Sequence, residues 1–136
     1  MKTLKSRYSS IMLIDDNEID NFINQKMMES CNFSENIHIY TSGKSALEYL
    51  KNMERIQDGS KLTTPELIFL DINMPVLDGF QFVEEFEKLD KKFISATKII
   101  MLTSSIDPDD HAKSKLFSSI HDYVIKPLSQ SALKGI

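Results

Sequence analysis

Short apolar runs recur along this chain, and each stops at a polar residue. Ile11-Met12-Leu13-Ile14 runs into Asp15-Asp16, Leu67-Ile68-Phe69-Leu70 into Asp71, Ile99-Ile100-Met101-Leu102 into Thr103, and Tyr123-Val124-Ile125 into Lys126, with Pro127 next. Apolar runs this short, separated by segments of helical period, read as buried strands of a parallel sheet. Ligand sites in such sheets lie at the carboxyl ends of the strands. The pattern therefore predicts three carboxylates, a hydroxyl and an ammonium converging on one small pocket.

Strands are predicted over residues 10–15, 36–41, 66–70, 98–103 and 122–125. The first intervening helix, 18–31, is expected to turn Ile19, Phe22, Ile23, Met27 and Cys31 inward. The second starts at a Ser42 cap and carries Ala46, Leu47 and Leu50 on its inner face. The third, 79–89, packs Phe82, Val83, Phe86 and Leu89 on the sheet. The fourth opens at Asp107-Pro108, a cap followed by proline at the first helical position. Its thin apolar face (Ala112, Leu116, Phe117) suits a mobile element. A short last helix is expected over 129–135. The polar, aperiodic stretch 53–65 predicts an extended loop, and residues 1–9, basic through Lys2, Lys5 and Arg7, a solvated tail. Alternating β and α units imply an α/β sheet with right-handed crossovers and helices on both faces.

A length of 136 residues predicts one domain, 1–136, with room for a real core. A formal charge of −4 gives no basis for a nucleic-acid or membrane partner. The single cysteine, Cys31, excludes an intrachain disulfide and is expected to be a buried small apolar residue. Met12, Met27, Met28, Met74 and Met101 read as packing residues, and His38, His111 and His121 show no ligand spacing. No run reaches the length needed to span a bilayer, and the amino end lacks the apolar stretch of a signal peptide. A soluble, cytoplasmic protein is expected.

Asp15, Asp16 and Asp71 cannot crowd together without compensation. Two unit charges 4 Å apart repel by about 4 kcal/mol at an effective dielectric near 20, so either pKa values rise or a cation intervenes. Carboxylate oxygens and water suit Mg²⁺. An aspartate beside such a metal can act as a nucleophile and form an aspartyl-phosphate, with a lysine and a hydroxyl holding the phosphoryl oxygens.

These residues, in this order, resemble the receiver domain of two-component response regulators. The resemblance rests on Asp15-Asp16, the string from Asp71 through Asn73-Met74-Pro75 to Asp78-Gly79, Thr103-Ser104, and Tyr123 through Lys126-Pro127, and spans residue 10 to the end. It implies a flavodoxin-like, doubly wound five-stranded sheet of order 2-1-3-4-5, as in a chemotaxis receiver, here without an attached effector. It also implies roles. Asp71 would accept a phosphoryl group from a histidine kinase or histidine phosphotransfer protein. Asp16 and Asp71 would ligate Mg²⁺ by side chain, Asn73 by its backbone carbonyl and Asp15 through water. Thr103 and Lys126 would hold the phosphoryl group, and Tyr123 would be the aromatic switch. The Lys126-Pro127 bond would be cis. Output would pass to a protein partner through the helix after strand four, strand five and the last helix. The family is a phosphoacceptor rather than a turnover enzyme.

Three features depart from the family pattern. The gap from Asp16 to Asp71 is longer than usual, the excess falling around residues 55–65, away from the pocket. Only residues 128–136 follow Pro127, so the last helix is short. Ser119-Ile120 replaces the small pair often found before the fifth strand. Two other functions fit parts of the pattern. One is a receiver-like binding module that works without phosphorylation, against which the complete acidic set, Thr103 and Lys126 argue. The other is a phosphatase of the haloacid-dehalogenase type. That chemistry wants a second aspartate two residues after the nucleophile, where this chain has Asn73.

Overall fold

The computed structural model describes residues 6–56, 64–104 and 107–136. Five strands form one parallel sheet: β1 (Tyr8–Ile14), β2 (Ser34–Tyr40), β3 (Leu67–Asp71), β4 (Lys98–Thr103) and β5 (Ile120–Ile125), in the order β2-β1-β3-β4-β5. The helices are α1 (Glu18–Ser30), α2 (Gly43–Ile56), α3 (Gly79–Phe86), α4 (Lys91–Ser95), α5 (Pro108–Ser114) and α6 (Gln130–Lys134). This is the expected strand order. The expected tail is shorter, because β1 already begins at Tyr8, and residues 53–56 of the expected loop belong to α2. Lys2, Lys5 and the loop residues 57–63 lie outside the described residues. Arg7 is no free tail residue: its guanidinium donates to the Leu133 carbonyl at 2.7 Å and lies over the Tyr8 and Phe33 rings.

Alternation along the strands divides the core in two. Met12, Ile14, Ile68, Leu70, Ile99 and Met101 face α2, α3 and α4, where Leu47, Leu50, Phe82, Phe86 and Phe93 meet them. Ile11, Leu13, Leu67, Phe69, Ile100 and Leu102 face the other way, toward Met28 of α1 and Leu133 of α6. Buried on both sides, the central strands β1, β3 and β4 read as the continuous apolar runs seen in the sequence, whereas the edge strands β2 and β5 are only half-buried. The helix α4 was not expected. Asp90 caps it by accepting from the Lys92 N–H, and Phe93 is its one buried anchor. Between β4 and β5 the register slips: Ile99 pairs with Ile120 but Ile100 with Asp122, which leaves His121 as the extra residue of a bulge next to Ser119-Ile120.

The helix α1 corrects the sequence reading. Ile19, Phe22 and Ile23 are 69%, 59% and 45% exposed, and Cys31 is exposed as well. The buried positions are Asn21, Asn24 and Met28. Two backbone groups explain the inversion. The Asn21 side chain donates to the Asp15 carbonyl at 2.8 Å, and Asn24 Oδ1 accepts from the Leu128 N–H at 3.3 Å. Leaving such buried groups unpaired costs about 1–3 kcal/mol each, so pairing them offsets part of the cost of turning Ile19, Phe22 and Ile23 outward, while Asn21 Oδ1 and Asn24 Nδ2 themselves stay unpaired. On α5 the expected apolar face is also largely outside. Ala112 and Leu116 are exposed, Phe117 is half-buried against Phe80, and Ser114 is the buried residue.

Val76, in the turn between β3 and α3, has φ 69° and is 93% exposed. The left-handed region costs a residue with a Cβ roughly 1–2 kcal/mol, more for a branched one, whereas asparagine adopts it readily. Val76→Asn is therefore expected to raise stability by about 1 kcal/mol, a rise of about 3 °C in Tm for a chain of this size. Equal or lower stability by thermal unfolding would show that the turn is not strained.

Candidate functional site

Strand register assembles the site. Ile14 is level with Leu70, Asp71 with Leu102, and Thr103 with Ile125. The next residues, Asp15, Asp71, Thr103 and Lys126, therefore emerge along one rim of the sheet. The Lys126 N–H donates to the Thr103 carbonyl at 2.7 Å, which holds the start of the last loop, with its cis Lys126-Pro127 bond, against β4. Gly79 closes the floor. A Cβ there would lie 2.7 Å from the Asp71 carbonyl oxygen, so α3 can begin this close to the rim only at a glycine.

Asp15 is fully buried, Asp71 is 5% exposed and Asp16 is exposed. Carboxylate oxygens of all three lie within 4.8 Å of one another. At an effective dielectric near 20 each pair repels by about 3–4 kcal/mol. The Lys126 ammonium offsets part of this. Its Nζ lies 2.6 Å from Asp15 Oδ2, 3.0 Å from Asp20 Oδ2 and 3.2 Å from Asp71 Oδ1. Burial works against the ammonium, but hydrogen bonds to Asp15 and Asp20 and the charge of Asp71 outweigh it and raise its pKa.

Asp20 is the member that sequence reading missed. Its signal was present: it follows Asp16 by one helical turn, on the first turn of α1, so its carboxylate returns to the rim. Asn73 is exposed in the loop after β3. Thr103 is buried, and its side chain is hydrogen-bonded to that of Tyr123. The Tyr123 ring is half-buried and stacks on His111 of α5 at 4.9 Å. Burial and the charge of Asp110 raise the phenol pKa, the Thr103 hydrogen bond opposing them. The residues singled out from sequence thus lie on the β1–β3–β4–β5 rim or beside it.

The donor set suits a hard dication. It offers carboxylate oxygens only, two of them buried and one open to water, which is the arrangement magnesium favours. A softer metal would want nitrogen or sulfur ligands, and among the described residues that cluster includes none.

Burial, reinforced by the charge of Asp15, pushes the Asp71 carboxyl up from 3.8 to about 6, the Lys126 ammonium opposing. A raised carboxyl pKa means that the folded protein keeps a proton the unfolded chain has released. The contribution to stability is present below about pH 4 and is lost as pH rises through about 6. It amounts to about 3 kcal/mol. In metal-free buffer the Asp71→Asn protein, which cannot ionise there, is expected to match the wild type near pH 4 and to exceed it by about 3 kcal/mol at pH 7. Urea unfolding at a series of pH values checks this. Parallel pH profiles for the two proteins would exclude it.

Comparison with known proteins identifies relatives of this chain. A family model described as the response regulator receiver domain matches residues 11–136. The crystal structure of a two-component response regulator from Cytophaga hutchinsonii superposes with a TM-score of 0.85 at 30% identity, covering 96% of this chain and 94% of that one. The probable methanogenesis regulatory protein FilR2 of Methanothrix harundinacea is 28% identical over 91% of this chain and 76% of its own length. The sensor histidine kinase CheAY of Helicobacter pylori is 29% identical over 93% of this chain, which spans 14% of that larger protein. In the hybrid signal transduction histidine kinase L of Dictyostelium discoideum the chain spans only 7%.

Proposed function

The chain belongs to the response regulator receiver domain family, and from that membership we propose that it is a signalling receiver whose Asp71 accepts a phosphoryl group from a histidine kinase or histidine phosphotransfer protein. The observation that carries the reading is the buried Asp71 carboxylate, within 4.8 Å of Asp15 and Asp16 oxygens and 3.2 Å from the Lys126 ammonium. Asp16 and Asp71, with the Asn73 carbonyl and with Asp15 through water, would hold Mg²⁺, which would supply positive charge for the approach of an anionic donor.

The remaining work falls to the chain's own groups. An Asp71 oxygen attacks phosphorus; the new O–P bond forms as the P–N bond to the donor imidazole breaks. The electron pair stays on the imidazole nitrogen. The developing charge on the phosphoryl oxygens is met by the Lys126 ammonium and the Thr103 hydroxyl. The position two residues on is Asn73 rather than a second aspartate, so the rim lacks the general acid that a haloacid-dehalogenase phosphatase would use. The protein is a phosphoacceptor, not a turnover enzyme.

Signalling would follow from Thr103. Once its hydroxyl turns to the phosphoryl group, its hydrogen bond to Tyr123 is redistributed. The Tyr123 ring, stacked on His111, would transmit this to α5. The readout surface for a protein partner would be α5, β5 and α6. Among the described residues no helix is long and apolar enough to cross a membrane, and we place the protein in the cytoplasm with no nucleic-acid partner. The test is incubation with a small phosphodonor and Mg²⁺. Uptake of one phosphoryl group, read by intact mass, is expected. Absence of uptake together with unchanged binding of protein partners would identify a phosphorylation-independent module.

A further inference from the structure

We propose that Asp20 is a positioning residue for Lys126, an outer anchor that fixes where the ammonium stands relative to Asp71; the inference deepens the phosphoacceptor reading and rests on it. A lysine ammonium has three N–H donors on a flexible four-carbon stem. Here the three nearest acceptors are Asp15 at 2.6 Å, Asp20 at 3.0 Å and Asp71 at 3.2 Å, so the phosphoacceptor holds the longest of the three contacts. Asp15 lies at the end of β1 and Asp20 on α1, on two different elements. Two anchors from two elements define the direction of the third N–H, which neither would do alone.

The anchor itself is well placed. Asp15 Oδ1 accepts from the Asn17 N–H at 2.9 Å, and the Asp15 carbonyl accepts from the Asn21 side chain at 2.8 Å. Both bonds tie the first turn of α1 to the end of β1, one on each side of Asp20. The Asp20 N–H is in turn capped by Asn17 Oδ1 at 3.0 Å. The Asp20 carboxylate is therefore referenced to Asp15 through short, local contacts. Its side chain is 36% exposed, whereas that of Lys126 is 10% exposed. Asp20 thus holds the ammonium from the solvent side, away from the cluster formed by Asp15, Asp16 and Asp71.

The experiment compares wild type, Asp20→Ala and Asp20→Asn, with far-UV circular dichroism confirming the fold. The first readout is the ¹⁵N resonance and proton exchange of the Lys126 ammonium in metal-free protein. The second is the rate of Asp71 labelling by a small phosphodonor with Mg²⁺. In Asp20→Ala the ammonium signal is expected to broaden or exchange faster, and labelling to slow about fivefold, the effect of losing one partly exposed charge contact. Asp20→Asn keeps an acceptor oxygen without the charge and is expected to recover part of both. An unchanged ammonium resonance in Asp20→Ala overturns the proposal even if labelling slows, because Asp20 would then act on donor approach. If wild type takes up no phosphoryl group, the phosphoacceptor reading fails, while the ammonium measurement, made without any donor, still decides the role of Asp20.

Discussion

Asp71→Ala is expected to reduce phosphoryl uptake to background while leaving the fold intact. Asp71 is the last residue of β3, level with Leu102 of β4, and its side chain leaves the sheet at the rim where α3 begins. Alanine keeps the strand and removes only the nucleophile. It also removes one of three mutually repelling carboxylates, so stability should not fall. Two checks make the result specific. The label on wild type is expected to be lost on treatment with hydroxylamine, as an acyl phosphate would be and a serine or threonine phosphoester would not. Replacing Thr103 or Lys126 is expected to slow uptake without moving the label, because these groups meet the phosphoryl oxygens rather than phosphorus. Labelling that persists in Asp71→Ala, or a hydroxylamine-stable label, would place the acceptor elsewhere and end the reading of this rim as a phosphorylation site.

The fold was legible because the sheet is buried on both faces. A strand such as Leu67–Asp71, with every side chain buried, has to be apolar until the residue that leaves the sheet, so the strand ends and the polar rim announce themselves together. The same logic failed on α1. Periodicity reports which residues are alike, and the apolar stripe Ile19, Phe22, Ile23 was assigned inward because burial of apolar surface is the usual tendency. Here the inward face is set by backbone groups at Asp15 and Leu128 that Asn21 and Asn24 pair with. A need of that kind belongs to distant chain segments and leaves no periodic trace. Cys31, at the end of the same helix, was misplaced with it. Asp20 escaped notice for a related reason. Its contact with Lys126 joins residues 106 positions apart, and acidic residues in a first helical turn, here Glu18 and Asp20, are already accounted for by the helix dipole. The His111–Tyr123 stack is equally non-local. The bulge at His121 lies beside Ser119-Ile120, where the sequence already departed from the family pattern, although its form could not be read from the residues alone.

Lys126→Met is expected to destabilise the metal-free protein by about 3–5 kcal/mol at pH 7, the usual cost of removing one partner from a buried ion pair. Methionine keeps most of the stem and its packing, so the loss measures the ammonium. What it leaves behind is severe. Asp15 is fully buried, the Asp71 side chain is 7% exposed, and among the described residues no other cation lies within ion-pair distance of either. The sign can be checked in two directions. Lowering the pH toward 4 protonates the Asp71 carboxyl, which burial already pushes up to about 6, so the gap between variant and wild type should narrow. Adding Mg²⁺ should narrow it as well, since the rim without the ammonium is more anionic and binds the cation more tightly, and a hundredfold lower Kd is worth about 2.7 kcal/mol more at saturating metal. The double variant Asp15→Asn, Lys126→Met removes both halves of the shortest pair and is expected to be more stable than Lys126→Met alone. Denaturation in urea with and without Mg²⁺ provides all four comparisons. A loss below about 1 kcal/mol, insensitive to pH and to the metal, would mean that Lys126 behaves as a surface lysine. A loss of the expected size would show that one ammonium both holds this rim together and stands ready for the phosphoryl group. The chemistry would then reside in charges whose mutual repulsion the rest of the fold must withstand.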